Sequence, residues 1–143
     1  MSDLSMFLRK NKKTRPNTFY AATKSITDEK GEPVKWEIRC VPTEEAKRIQ
    51  TECIHPVPVP GKKGQFLDRV NTVEYLLKIT AAAVVFPDLQ NAELQDSYGV
   101  KTPEDLLMAL VDNPSEFTDL QNYVSQQSGF DEDLGEDIEE AKN

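Results

Sequence analysis

The sequence predicts an α+β fold, in which an N-terminal antiparallel β-hairpin packs on a small C-terminal helical bundle and a disordered acidic tail follows. Three observations predict it. Residues 34–41 alternate apolar and charged side chains, which is the period of a strand with one buried side. Residues 102–105 and 113–116 each place a proline at the first position of a helix. Residues 130–143 have too few apolar side chains to offset the entropy lost on ordering.

The length and charge of the chain indicate one domain between two charged ends. The 143 residues are enough for one real core and too few for two. We expect a basic N-terminal arm at residues 1–16, a single globular domain at 17–129 and the acidic tail at 130–143. The arm carries five basic residues and one acid, whereas the tail carries seven acids and one lysine.

The hairpin is predicted over residues 18–41. Residues 18–26 are rich in threonine, aromatic and small side chains, and residues 28–33 supply turn chemistry before the alternating strand. Trp36 lies on the apolar face of that strand, which favours a core position.

Helices are predicted at about residues 43–54, 70–86, 91–98, 103–111 and 114–128. Thr43 is expected to cap the first of them, and Asn71 the second. From Leu76 onward the second helix is apolar on almost every side, which is typical of the middle of a bundle. Four of its residues are therefore expected to be strongly buried: Val73, Leu77, Val84 and Phe86.

Residues 55–64 are predicted to be neither helix nor central strand, because the prolines at positions 56, 58 and 60 remove alternate N–H donors. An extended, polyproline-like linker between the hairpin and the bundle is the favoured interpretation. The alternative is a polyproline ligand for an aromatic groove.

Two short apolar groups are the candidate partner-binding residues. Leu4, Phe7 and Leu8 form a stripe at helical spacing beside the basic residues 9–15, and this segment is either a solvated arm or a binding element. Val57 and Val59 in the proline-rich segment complete the set.

No catalytic, metal or cofactor site is predicted. Cys40, Cys53 and His55 are the only soft metal ligands in the sequence, and a structural zinc site requires four. A cysteine nucleophile needs a contacting histidine and an orienting acid, which an extended segment from Cys53 to His55 does not provide. Residues 61–64 are too short to cradle a phosphate as a P-loop does. We therefore predict that the protein is not an enzyme.

Charge and hydropathy restrict the partners. The net charge of −8 would repel a phosphate backbone, so nucleic acid is not expected as a partner. We find no signal peptide and no run long enough to span a bilayer, so no membrane partner is expected. The two cysteines do not form a disulfide framework, which favours a cytoplasmic protein with reduced thiols.

Three stretches are distinctive: GEPVKWEI at residues 31–38, VPVPGKKGQ at 57–65 and VVFPDLQNAELQDSYGV at 84–100. In these the chain resembles the tail assembly chaperones of long-tailed phages and defective prophages, specifically the XkdN-like group from Gram-positive hosts. The resemblance extends from the early hairpin to about residue 130. The basic arm is not distinctive, and the acidic tail departs from the pattern.

The resemblance implies a non-catalytic assembly factor. Such a chaperone binds the tape measure protein, recruits tail tube subunits, acts in the cytoplasm of the bacterial host and is absent from the mature virion. Self-association stays open as a further interaction. The alternative function is a stable structural component of the tail or baseplate.

The resemblance also implies a longer second product, made when ribosomes slip frame near the end of the gene. The sequence Ala141-Lys142-Asn143 is compatible with the slippery string A-AAA-AAC, although Lys-Asn is also an ordinary dipeptide. The nucleotide sequence at this position decides between the two interpretations.

Overall fold

Five strands and five α-helices make up most of residues 3–129, the part of the chain that the computed structural model describes. The strands there are β1 (Thr18–Tyr20), β2 (Trp36–Ile38), β3 (Ile54–Pro58), β4 (Phe66–Val70) and β5 (Val84–Phe86). The α-helices are α1 (Thr43–Glu52), α2 (Thr72–Ala83), α3 (Ala92–Ser97), α4 (Pro103–Leu110) and α5 (Pro114–Gln127). Two short 3-10 helices, Asp3–Phe7 and Arg9–Asn11, precede β1. The predicted α+β class is confirmed, whereas the predictions for the acidic tail and the slippage site concern residues outside the described part.

The main sheet has the strand order β1-β2-β5, with both pairs antiparallel. β1 and β2 form the predicted N-terminal hairpin, in which Thr18 lies opposite Ile38 and Tyr20 lies opposite Trp36. Tyr20 also stacks on Tyr123 of α5, with the ring centroids 4.3 Å apart. The sheet is thereby packed against the helices on its inner face.

The third strand, β5, corrects the prediction of one helix over residues 70–86. The helix α2 ends at Ala83, and the next three residues pair with β2 before a cis peptide bond to Pro87. Two valines and a phenylalanine favour a strand. Arg39 reinforces the change of direction, because its backbone N–H donates to the Ala83 carbonyl at 2.9 Å and its Nε donates to the Ala82 carbonyl at 2.9 Å.

The core lies between the inner face of this sheet and the helices. Trp36 is 1% exposed, which confirms its predicted core position. The fully buried large aliphatic side chains come from β2, α2, α4, α5 and the segment after α4: Ile38, Ile79, Leu106, Leu107, Leu120, Val111 and Val124.

Two of the four residues predicted to be strongly buried are exposed. Val73 is 79% exposed in the first turn of α2, and Phe86 is 55% exposed on the outer face of the sheet, opposite Glu37. Leu77 and Val84 are only partly buried. The prediction failed for two reasons. The start of α2 lies at the rim of the domain, and a register shift in the β2–β5 pairing places Phe86 opposite the outward-facing Glu37 while Val84 stays opposite the buried Ile38.

The helix starts follow the predicted capping, with one exception. Asn71 Oδ1 accepts from the Glu74 N–H at 3.1 Å, and Thr102 and Asn113 cap α4 and α5 in the same way. Thr43 is not a cap: Pro42 is the N-cap of α1, which has no side-chain cap hydrogen bond.

A second hairpin replaces the predicted proline-rich linker. β3 and β4 pair antiparallel from Ile54 opposite Val70 to Pro58 opposite Phe66. The prediction excluded a helix and a central strand and favoured a linker, but it did not consider an edge strand, in which proline is compatible with the edge that faces outward.

Candidate functional site

The β3–β4 hairpin, residues 54–70, is called the hairpin arm below, and it exposes both of its faces. Every residue of the two strands is exposed to solvent, and Phe66 is 64% exposed. Its large exposed apolar side chains are Ile54, Val57, Phe66, Leu67 and Val70. A two-stranded hairpin is at best marginally stable in water without further packing. The hairpin arm therefore projects an apolar surface that the rest of the domain, called the body below, does not cover.

Hydrogen bonds at the two ends of the arm define which edge of each strand is paired. Near the tip, the Val59 N–H donates to the Gln65 carbonyl at 3.0 Å. At the base, the Asn71 N–H donates to the Cys53 carbonyl at 2.8 Å. Because paired and unpaired positions alternate along an antiparallel strand, the odd-numbered residues between these points face the partner strand.

The prolines of β3 consequently lie on its outer edge. Pro56 and Pro58 are the even-numbered residues, so each nitrogen points away from β4, where no ladder hydrogen bond is needed. Without N–H groups at these two positions, the outer edge of β3 is blocked against a further strand.

The outer edge of β4 is open. Phe66, Asp68 and Val70 lie opposite the even-numbered residues of β3, so their N–H and C=O groups also face outward. Within residues 3–129, no backbone hydrogen bond connects these three residues to an element outside the arm. An extended polypeptide could add to this edge, as in β-augmentation.

Polar contacts attach the base of the arm to α2. His55 Nε2 lies 2.7 Å from Glu74 Oε2, and Lys78 Nζ lies 3.8 Å from both Glu74 and Glu52 carboxylate oxygens. Cys53, directly before β3, is fully buried, and this burial raises the pKa of its thiol. The base is thus held by the body, while the tip extends into solvent.

The three residues considered as metal ligands lie in different surroundings. Cys40 Sγ donates to the Gln127 carbonyl at 3.2 Å, Cys53 is in the core, and His55 contacts Glu74. Across the described residues, no group of three or more potential ligands could hold a metal ion. None of the helices described spans enough apolar length to cross a membrane.

The five predicted partner-binding residues fall on two elements. Leu4 and Phe7 belong to the first 3-10 helix and Leu8 follows it; all three are exposed, Phe7 by 80%. Val57 lies on β3 opposite Leu67, and Val59 continues the same strand toward the tip.

The sequence analysis missed β4, and with it Phe66 and Leu67. A signal was present, because two five-residue segments, IHPVP and FLDRV, flank the Gly61–Gly64 turn symmetrically. Two extended segments around a glycine-containing turn are typical of a hairpin.

A second apolar surface lies on the outer face of the main sheet. Phe19 and Phe86 are exposed on either side of Glu37. A groove of about 530 Å³ beside Phe86 is lined by Pro87 and Leu94 and edged by polar side chains.

Comparison with known proteins identifies the family. The model of the Phage XkdN-like tail assembly chaperone protein family matches residues 4–142. The chain is 23% identical over 141 residues to the Phage-like element PBSX protein XkdN of Bacillus subtilis (strain 168), which covers 99% of this chain and 94% of that protein. It is 24% identical over 139 residues to YqbN of the same organism, covering 97% and 91%.

A solved structure supports the fold. The crystal structure of YqbN matches with a TM-score of 0.75 at 17% identity, covering 92% of this chain and 99% of that chain. The family resemblance inferred from the sequence is confirmed: the chain belongs to the XkdN-like family of phage tail assembly chaperones.

Proposed function

We propose that this tail assembly chaperone binds the tape measure protein and recruits tail tube subunits in the cytoplasm of the host, and that it leaves before the virion is mature. The hairpin arm carries the proposal, since apolar side chains exposed on both faces of one projecting element mark an interaction site. Family membership supplies the class of partner, which is a phage tail protein.

Strand addition at β4 is the proposed binding mode. Phe66, Asp68 and Val70 offer main-chain donors and acceptors on an open edge, and main-chain pairing is tolerant of the partner's sequence. That tolerance suits a chaperone whose partner presents many different segments along one long chain. The apolar side chains of the arm would cover the partner's apolar residues at the same time.

Co-expression with a fragment of the tape measure protein tests the function. We expect the wild-type chain to keep the fragment soluble and the double variant Phe66→Ser/Leu67→Ser to lose the complex. Met108→Ser is the matched control, because Met108 is another exposed apolar residue but lies on α4, away from the arm. The complex should survive added salt, since apolar burial is not screened.

A proline substitution tests the binding mode. Asp68→Pro removes one outward N–H from β4 and leaves the hydrogen bonds between β3 and β4 intact. We expect it to weaken binding about tenfold, the effect of losing roughly 1.4 kcal/mol. If Asp68→Pro binds as the wild type does while the serine variant fails, side-chain packing rather than strand addition is the mode.

Purified tails test the proposed departure of the chaperone. Mass spectrometry of intact virions should detect no stoichiometric amount of this chain. Its recovery in fixed ratio to the tail tube protein would instead support a stable structural component.

A further inference from the structure

The hairpin arm has one blocked edge and one open edge, and this asymmetry restricts what can add to it. Pro56 and Pro58 block the outer edge of β3, whereas Phe66, Asp68 and Val70 turn their N–H and C=O groups outward on β4. An open edge is a template for a further strand, and the same edge of a second copy has the matching length. Two hairpin arms joined through β4 would form a sheet in the order β3-β4-β4-β3, with prolines on both outer edges. Such an assembly closes at two copies.

Few alignments of two antiparallel β4 strands are favourable. Ladder hydrogen bonds require that even-numbered residues lie opposite even-numbered residues, since these face outward. Centring the alignment on Asp68 would place two carboxylates directly opposite each other, and centring it on Arg69 would do the same with two guanidinium groups. Centring it on Leu67 places Asp68 opposite Phe66 and Arg69 opposite Gln65, so like charges do not face each other.

The position of the tip favours the same alignment. With Leu67 at the centre, the turn at residues 61–64 of one copy would lie beside residues 70–73 of the other, where β4 ends and α2 begins. Each step of the centre toward the base would move the tip about 7 Å further along α2. A step toward the tip, to Phe66, would leave Asp68 opposite Gly64, which lies outside β4.

The exposed apolar side chains of one face would become continuous across the two copies. Leu67 lies opposite Val57 within one hairpin arm, so the two side chains share a face. The two Leu67 residues would meet as a non-hydrogen-bonded pair, which is the closer type. The row Val57-Leu67-Leu67-Val57 would then cross every strand of the joined sheet. A sheet of three or more strands with an apolar face is stable where a lone hairpin is marginal.

We propose that two copies of this chain pair through β4 in a symmetric antiparallel arrangement centred on Leu67. Each copy contributes the outward N–H and C=O groups of Phe66 and Asp68, and the prolines of both β3 strands keep a third hairpin arm from joining. A tape measure segment bound as proposed above would need the same edge, so the pairing covers the edge until such a segment displaces the second copy. The pairing itself does not rest on the proposed function, because it requires this chain alone.

Sedimentation equilibrium of the full chain tests the pairing without any other protein. We expect a monomer–dimer equilibrium between micromolar and millimolar concentration. Asp68→Pro should weaken it about a hundredfold, because two-fold symmetry removes an outward N–H from each copy and each loss weakens binding about tenfold. Asp68→Ala keeps the N–H and is the matched control, which should pair at least as well as the wild type. A wild type that stays monomeric, or an Asp68→Pro variant that pairs as Asp68→Ala does, would overturn the proposal.

Opening the blocked edge tests the closure at two copies. Pro56→Val/Pro58→Val restores outward N–H groups on β3, so that hairpin arms can add at both edges. We expect this variant to form species larger than a dimer, while the wild type forms none. A variant that stops at the dimer would overturn the role given to the prolines.

Cysteine cross-linking tests the alignment. In a Cys40→Ser background the remaining native thiol is Cys53, which is fully buried. Leu67→Cys should form a disulfide-linked dimer on mild oxidation, because directly opposite residues of this type have Cα atoms about 4.5 Å apart. Arg69→Cys is the matched control, since its two copies would lie about 13–14 Å apart along the strands. Cross-linking at position 69 that is as fast as at position 67, or none at position 67, would overturn the proposal.

Discussion

Leu106 in α4 is fully buried, whereas Leu67 in the hairpin arm leaves half of its side chain in water. The body packs its leucines between a three-stranded sheet and the helices, and the arm exposes its apolar residues on both faces. Burial of a leucine side chain stabilises a fold by about 1.5–3 kcal/mol, so the body holds the chain folded and the arm adds little. Stability and partner binding are therefore separable in this protein by choice of residue.

The largest expected effect is on the body. Leu106→Ala should lower the free energy of unfolding by about 2–5 kcal/mol, because it leaves a cavity among fully buried neighbours. Leu67→Ala is the matched control in the arm and should stay within about 0.5 kcal/mol of the wild type. Leu77→Ala should fall between them, since Leu77 is partly buried. Urea denaturation measures all three, and equal losses for Leu106→Ala and Leu67→Ala would contradict the comparison.

The hairpin arm should be able to unfold while the body stays folded. Leu67→Pro removes a ladder N–H that faces β3, whereas Asp68→Pro removes one that faces outward. We expect Leu67→Pro to abolish hydrogen-exchange protection across residues 54–70 while the amides of α4 and α5 keep theirs. Asp68→Pro should retain protection in both regions. Loss of protection throughout the body in Leu67→Pro would mean that the arm is part of the core's cooperative unit.

Acid pH should destabilise the body through protonation of the Glu116 carboxylate. The backbone N–H of Lys24 and the hydroxyl of Thr23 each donate to its carboxylate at 2.8 Å, and these hydrogen bonds lower the pKa of Glu116. A lowered folded-state pKa contributes stability above the unfolded pKa, and this contribution is lost as pH falls through the folded value. Glu116→Gln should therefore be less stable than the wild type at pH 7, with the difference shrinking toward acid pH. A difference in urea midpoint that is constant with pH would refute this assignment.

The smallest effect concerns the two thiols. Cys53 at the base of the arm is fully buried with a raised thiol pKa, whereas Cys40 is partly exposed. Because the thiolate is the reactive form, iodoacetamide should alkylate Cys53 more slowly than Cys40 in the native protein. The single-cysteine variants Cys40→Ser and Cys53→Ser, followed by mass spectrometry, give the two rates. Equal rates would show that the base of the arm opens readily.

The elements predicted well from the sequence are those with local signals. The alternation around Trp36, the cap at Asn71 and the helix starts at Pro103 and Pro114 each depend on a few neighbouring residues, and the structure has them as predicted. Strand β5 could not be separated from α2, because a continuous apolar run has no period that marks where a helix becomes a strand.

The hairpin arm was missed for a different reason. Proline in a strand is unfavourable or harmless according to which side of the strand is paired, and pairing is a property of two segments together. Val57 and Val59 were selected from the proline-rich segment, but Phe66 and Leu67 were not, because only the register shows Leu67 opposite Val57 and Phe66 opposite Pro58 on the other face.

The spacing of the prolines also determines how the arm can misfold. A one-residue slip between β3 and β4 flips one of the two strands. If β3 flips, Pro56 and Pro58 turn toward the partner strand and each removes a ladder hydrogen bond, whereas a flip of β4 leaves both prolines on the outer edge. In an element with both faces in water, burial cannot correct such an error, since neither face is preferred by a core. The prolines therefore determine which edge of β3 pairs with β4. A single-residue deletion or insertion within residues 54–58, which turns a proline toward the paired edge, should disrupt the arm more than any side-chain substitution there.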